Sequence, residues 1–423
     1  LAEAETSRRR SRETALREGN RPNLQLASCA GAWARRSQAT LAQVHLALGQ
    51  LALRQAEQAR RTTFFVWLWR LVSAEKAPID VAQAEIDDAL ALHTDWSAAL
   101  RLRAQLLSIQ GKAQESLDAV RALQDQDPAD IANYQLLAQL LEKRWRELRG
   151  RPGQEGQARE VLAQIREQYQ LLIDRGLAPA QGYLGLAQIA QEAGETEAAR
   201  QAYVQAIAAD PQFAEAYLRL GQLEKDLGEE TAALEHLRKA AELAGGRSWI
   251  RALAHTHRGE ILLEQWLRSE DETVRTERRK EARAAFEAAL SEFPGMASAR
   301  NGLGRIAYEE GDLSGAERLF LQVLEKDRNN FGALYGLGRV YEARSRSDIA
   351  LRYFRRAVAS RGESVAAHYH LGVTAFAQMS EAEARQALEW VRDRCQGAQP
   401  VSFDDRQACQ GVAGWLERLT SHP

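Results

Sequence analysis

A spacing of 34 residues between like side chains constrains this chain more than any other feature. From Ala180 to Pro211 the residues Tyr183, Leu186, Ala187, Ala190, Gly194, Ala199, Tyr203 and Ala206 set a pattern. It returns as Tyr217, Leu220, Gly221, Gly228, Ala233, Leu237 and Ala240. It returns again as Leu303, Gly304, Ala307, Gly311, Ala316 and Phe320, and then as Leu334, Leu337, Gly338, Tyr341, Ala350, Phe354 and Ala357. A period of this length belongs to stacked helix pairs. It also resolves a size problem: 423 residues are too many for one ordinary core, whereas stacked repeats pack only on their neighbours.

The apolar places inside each first helix fall three and four apart, which sets them on one face. Gly221, Gly304, Gly338 and Gly372 on first helices, and Ala199, Ala233, Ala316 and Ala350 on second ones, stand where two helices cross closely. Tyr203, Phe286, Phe320 and Phe354 fill the space beside them. Gly111, Gly194, Gly228 and Gly311 lie at the turn between helices, where a left-handed C-cap favours glycine. Asp127-Pro128 and Asp210-Pro211 end one pair and start the next.

These residues resemble the tetratricopeptide repeat (TPR) family over residues 40 to 395. The resemblance implies an all-α fold: a right-handed α-solenoid of stacked antiparallel helix pairs, with about eight to nine repeats and a C-terminal capping helix. Residues 1–36 read as a polar, Arg-rich, disordered arm, and 37–96 as a degenerate first repeat. Residues 97–395 read as the regular array and 396–423 as a loop and cap. In the cap, Trp415 and Leu416 are expected to face the last repeat. Trp145 and Trp266 stand where turn glycines stand elsewhere, so their first helices should continue before insertions near 145–156 and 268–280. The third departure, Phe64 to Val72, carries Phe64, Phe65, Trp67 and Trp69. These four form either a small local core or an exposed patch for a partner or membrane.

The resemblance further implies that first helices build an inner wall along which peptides lie. That wall is polar and uncharged in its first half, with Gln105, Gln135, Gln139, Gln188 and Gln222. In its second half it carries Asn301, Arg305, Tyr308, Tyr335, Arg339, Tyr369 and His370. Arginine with aromatic residues has the composition of an interface hot spot, and a guanidinium can grip a carboxylate with two hydrogen bonds. The alternative is a solvated wall with internal ion pairs, for instance to Glu309 and Glu342. Some family members clamp a peptide's terminal carboxylate with Lys, Asn and Arg, and no matching Lys occurs here.

These features lead to a non-enzymatic scaffold for a protein or peptide partner. Two other readings are a structural subunit of a bacterial envelope, secretion or polysaccharide-export assembly, and a regulatory module of a larger enzyme. No nucleophile elbow, phosphate loop or paired metal-ligand motif occurs, so no catalytic residue, metal or cofactor is assigned. His255 with His257, and His368 with His370, are two apart on helices and point in different directions, which does not suit a shared ion. A net charge of −2 disfavours nucleic acid. Phe64 to Val72 is far too short to span a bilayer, and cytoplasm and periplasm both stay open. Membrane contact would need that aromatic segment or an upstream signal or anchor, which a first residue of Leu1 leaves open. Leu26-Ala27-Ser28-Cys29 resembles a lipobox without its apolar lead. Cys395 and Cys409 bracket the last loop and either pair or are two separate small core residues.

Overall fold

The computed structural model describes residues 42, 43, 45–50, 54, 78–397 and 402–421. The expected arm at 1–36 and the aromatic patch Phe64, Phe65, Trp67 and Trp69 lie outside the described residues. All described regular structure is helical. Successive helices pair off, each packing chiefly on its sequence neighbours, and the fold is an all-α solenoid of antiparallel helix pairs. Two compact units divide the chain between Ile189 and Ala190.

The first unit begins with a helical stretch at 45–50, against which α1 (Pro78–Leu92) packs. A methyl group on Gly49 would lie 3.2 Å from Ile86, and Ala82, Ile86 and Ala89 are fully buried, as the repeat register requires. Then come α2 (Ser97–Ile109) with α3 (Ala113–Gln126), α4 (Ile131–Leu148) with α5 (Glu155–Asp174), and α6 (Pro179–Glu192), which runs into the second unit. Asp127 closes α3 by accepting the N–H of Ala129, and Asp130 caps α4 by accepting that of Ala132. Ser116, buried between helices, donates to the Ala104 carbonyl at 2.7 Å, so its burial leaves no hydroxyl unsatisfied.

The second unit continues with α7 (Thr196–Ala209), α8 (Ala214–Asp226), α9 (Glu230–Leu243), α10 (Ser248–Arg268) and α11 (Glu272–Glu292). It ends with α12 (Ala297–Glu309), α13 (Leu313–Lys326), α14 (Phe331–Ala343), α15 (Ser347–Ser360), α16 (Val365–Ala377), α17 (Glu381–Gly397) and α18 (Phe403–Ser421). Phe286, Phe320 and Phe354 recur on second helices and are buried. Each such ring contributes about 1.5–3 kcal/mol by leaving water. The ring fits only because the facing first helix carries glycine. A Cβ at Gly338 would sit 2.4 Å from the Phe354 ring, well inside contact distance.

Both tryptophans at the departure points are buried, and the first helices run past them: α4 has 18 residues and α10 has 21, against 13 in α8, α12, α14 and α16. The charged stretch from Arg268 to Lys280 is mostly helical too, because Asp271 caps α11 by accepting N–H groups from Thr273 and Val274. The insertion therefore lengthens a helix pair.

The turn glycines Gly111, Gly194, Gly228 and Gly311 all have positive φ, between 80° and 86°. In the last two repeats that place is held by Ser345 (φ 58°) and Met379 (φ 56°). The left-handed turn is thus imposed by the fold even where the residue resists it.

Candidate functional site

Because α12, α14 and α16 are equivalent first helices, Asn301, Tyr335 and Tyr369 share one repeat position and Arg305 and Arg339 another. Stacking the repeats sets them side by side on one wall. The wall is occupied by the chain itself, for the start of α18 lies on it. Arg305 donates from Nη1 to Asp404 Oδ2 (2.5 Å) and from Nη2 to Oδ1 (2.6 Å), while its Nε reaches Glu309 Oε1 (2.6 Å). The Tyr335 hydroxyl donates to Asp404 at 3.3 Å and accepts from Arg339 Nη1 at 3.4 Å. Arg339 lies 3.7 Å from Asp404 and stacks over the Tyr308 ring at 4.8 Å.

Three further contacts read the first turn of α18. Asp405 accepts the backbone N–H of Ala366 at 2.9 Å, satisfying an open donor at the start of α16. The N–H of Phe403 donates to Glu264 of α10 at 2.9 Å. Ser402 caps α18 by accepting the N–H of Asp405 at 3.1 Å. Two aspartates in that first turn also suit the positive end of the helix dipole. Farther along, the Trp415 indole N–H donates to the Tyr369 hydroxyl at 3.1 Å, and Trp415 and Leu416 pack on the last repeats as expected. Cys395 and Cys409 are joined in a disulfide that ties α18 to α17, so they are not two separate core residues.

The electrostatics follow from burial. Asp404 is 13% exposed. Burial pushes its carboxyl up, and the charge and hydrogen bonds of Arg305, with the charge of Arg339, more than reverse this, leaving it below the usual range. Glu264 goes the other way: burial, reinforced by Asp404, raises it despite the Phe403 N–H. Burial and the Asp404 charge also raise the Tyr335 hydroxyl, which stays a neutral donor.

The remaining expected wall residues are placed as follows. Asn301 Nδ2 donates to Asn330 Oδ1 at 2.9 Å. His370 lies 2.9 Å from Glu342 and stacks on Phe354 at 5.4 Å. The internal ion pair to Glu309 is thus present, and Glu342 meets His370. Beside the start of α18 a cavity of about 520 Å³ remains, lined by Asn301, Asn330, Phe331, Arg361 and Asp405 among others. Asn301 Oδ1 and Arg339 Nε are buried without a hydrogen-bond partner.

Two of the histidines weighed as metal ligands, His257 and His368, have other partners. His368 stacks on Trp390 at 3.9 Å, and His257 and Lys225 contact Glu260. Burial opposes the charge on Glu260, but His257 and Lys225 outweigh it and hold the carboxyl at about 2. Among the described residues no group of three or more His, Cys, Asp or Glu could hold a metal.

Sequence reasoning missed Asp404, Asp405 and Glu264. The available signal was Ser402 followed by two aspartates, a helix start whose charge complements Arg305 and Arg339.

Family models place this geometry in context. The tetratricopeptide repeat model matches residues 271–331 and 335–398, a second model of that description matches 214–246, and a TPR repeat model matches 188–228. The chain thus carries tetratricopeptide repeats over these residues, the repeats of a class of protein-interaction scaffolds. No curated protein matches the sequence. Among solved structures, the APC/C hetero-tetramer Cut9-Hcn1 contains a chain with a TM-score of 0.51 and 16% identity, covering 79% of this chain and 59% of its own length. This chain therefore spans less than two thirds of that relative. Pseudomonas aeruginosa pilF gives a TM-score of 0.42 at 17% identity, covering 56% of this chain and 96% of its own. A thermophilic TPR protein in Thermus thermophilus gives 0.40 at 19% identity, covering 47% and 99%.

Proposed function

We propose that this chain is a non-enzymatic scaffold that holds a peptide or protein partner on the inner wall formed by α10, α12, α14 and α16. The observation that carries this reading is the cavity of about 520 Å³ beside α18, lined by Asn301, Asn330, Phe331 and Arg361. Tyr308, Tyr335, Arg305 and Arg339 supply the rigid aromatic and guanidinium contacts on which interfaces concentrate their affinity. The groove is preformed, which lowers the ordering cost of binding.

Ser298 is exposed and lines the cavity mouth, so Ser298→Trp fills the cavity without touching the ion pairs. Partner proteins captured on the native chain from its own cells are expected to be lost from this variant while its helical circular dichroism is unchanged. Equal capture by both proteins would reject the groove as the partner seat.

A further inference from the structure

We infer that the partner presents an acidic helix start and competes with α18 for the same seat. This rests on the groove reading above and adds the chemistry of the occupant. The chain displays the recognition on itself. Arg305 takes one carboxylate in a two-pronged grip, the N–H of Ala366 takes a second from the next residue, and Glu264 accepts the backbone N–H one residue before the first. Together these groups select a hydroxyl-capped helix start with two adjacent carboxylates, as in Ser402-Phe403-Asp404-Asp405.

Packing alone does not account for this polar machinery. The apolar half of α18, with Val412, Trp415, Leu416 and Leu419, already covers the last repeats. The polar half instead brings Arg305, Arg339 and Asp404 largely out of water, an arrangement that is costly unless every group is paired. Here the pairing is incomplete: Arg339 Nε is buried without a hydrogen-bond partner, and α18 leaves the cavity lined by Asn301, Asn330, Phe331 and Arg361 unfilled. An acidic helix start preceded by a few more polar residues would also occupy the 520 Å³ cavity, so it has more to bind than α18 does. The internal helix holds the seat by proximity. The Cys395–Cys409 bond keeps its start at high local concentration, which an outside ligand must overcome.

The test uses a fluorescein-labelled synthetic peptide with the chain's own sequence from Val401 to Arg418, Cys409 replaced by Ser, in anisotropy titrations. The receptors are the full oxidised chain and a full-length opened variant, Asp404→Ser, Asp405→Ser, Cys409→Ser. Binding to the opened variant is expected to be at least tenfold tighter than to the oxidised chain. It should fall at least tenfold when both aspartates of the peptide are replaced by Asn, or when the opened variant also carries Arg305→Ala. Hydrogen exchange of the opened variant should show faster exchange in 403–421 with α10 to α16 still protected. A second measurement covers the case in which the opened variant does not fold. Excess peptide added to the reduced native chain should accelerate exchange in 403–421. No peptide binding to a folded opened variant, equal binding of the Asp and Asn peptides, or no effect of peptide on the reduced chain would overturn the proposal. A reduced chain that becomes a dimer by light scattering would assign the seat to α18 of a second copy and overturn it too. These failures leave the Ser298→Trp result standing, so the two readings fail separately.

Discussion

Arg305 and Asp404, 99 residues apart in sequence, meet in a two-pronged ion pair between α12 and α18. The pair is mostly buried, so each charge depends on the other. Arg305→Ala leaves Asp404 in a poorly solvated place and is expected to cost about 3 kcal/mol or more. Asp404→Ala should cost a similar amount. The double variant should cost clearly less than the sum, by more than about 0.5 kcal/mol. Urea titrations followed by circular dichroism test this, and simple additivity would show that the pair is not coupled.

Acid should release the start of α18. A carboxyl depressed in the folded state adds stability above its unfolded value, near 3.9, and loses it as pH falls through the lower folded value. Asp404 therefore holds α18 fully at neutral pH and fails in acid. Glu264 has the opposite sign: raised in the folded state, it favours the protonated form, and its contribution is lost as pH rises through its folded value. Comparing urea stability of the native chain with Asp404→Asn between pH 3 and 7, the native advantage should fade below about pH 4. An advantage that is flat with pH would contradict the ion pair.

Ser345 and Met379 hold left-handed turns that glycine holds in four other repeats. Met379 is also 92% exposed, so it gains little from packing. Ser345→Gly and Met379→Gly should each raise stability by up to about 1 kcal/mol, since the strain of a left-handed L-residue, about 1–2 kcal/mol, is offset in part by glycine's entropy. Gly311→Ala should lower stability by a similar amount. Melting temperatures of the three variants decide this, and a lower melting temperature for both glycine variants would refute it.

Gly338→Ala should be destabilising by about 1–3 kcal/mol, because the new methyl group meets the Phe354 ring at 2.4 Å and the ring is fully enclosed. Gly111→Ala meets nothing within 4 Å and is strained only by its φ of 86°. If both variants melted alike, close packing at the helix crossing would not be what requires Gly338.

The period of small and aromatic residues made the helix pairs legible, because each repeat states the same packing solution again. The turn at Gly311 could be read for that reason, whereas Ser345 and Met379 could not: a turn forced by its neighbours leaves no mark in its own side chain. The wall residues Asn301, Arg305, Tyr335 and Arg339 were legible from helical spacing together with the family resemblance, which puts first helices on the inner wall. Their occupant was not, since spacing reports which residues share a face and says nothing of what a segment far downstream brings to it. The Cys395–Cys409 bond was ambiguous for a related reason: two cysteines either side of a loop fix neither distance nor orientation until α17 and α18 are placed.

The extra turns of α10 have a consequence of their own. A 13-residue first helix starting at Ser248 would stop at Glu260, and Glu264 would not exist as a helical residue. Yet Glu264 is what receives Phe403, 139 residues later. The irregular length of one repeat thus serves as a mooring post for the far end of the chain. Trimming it to the regular length would cast off one of the lines that hold the last helix at its head.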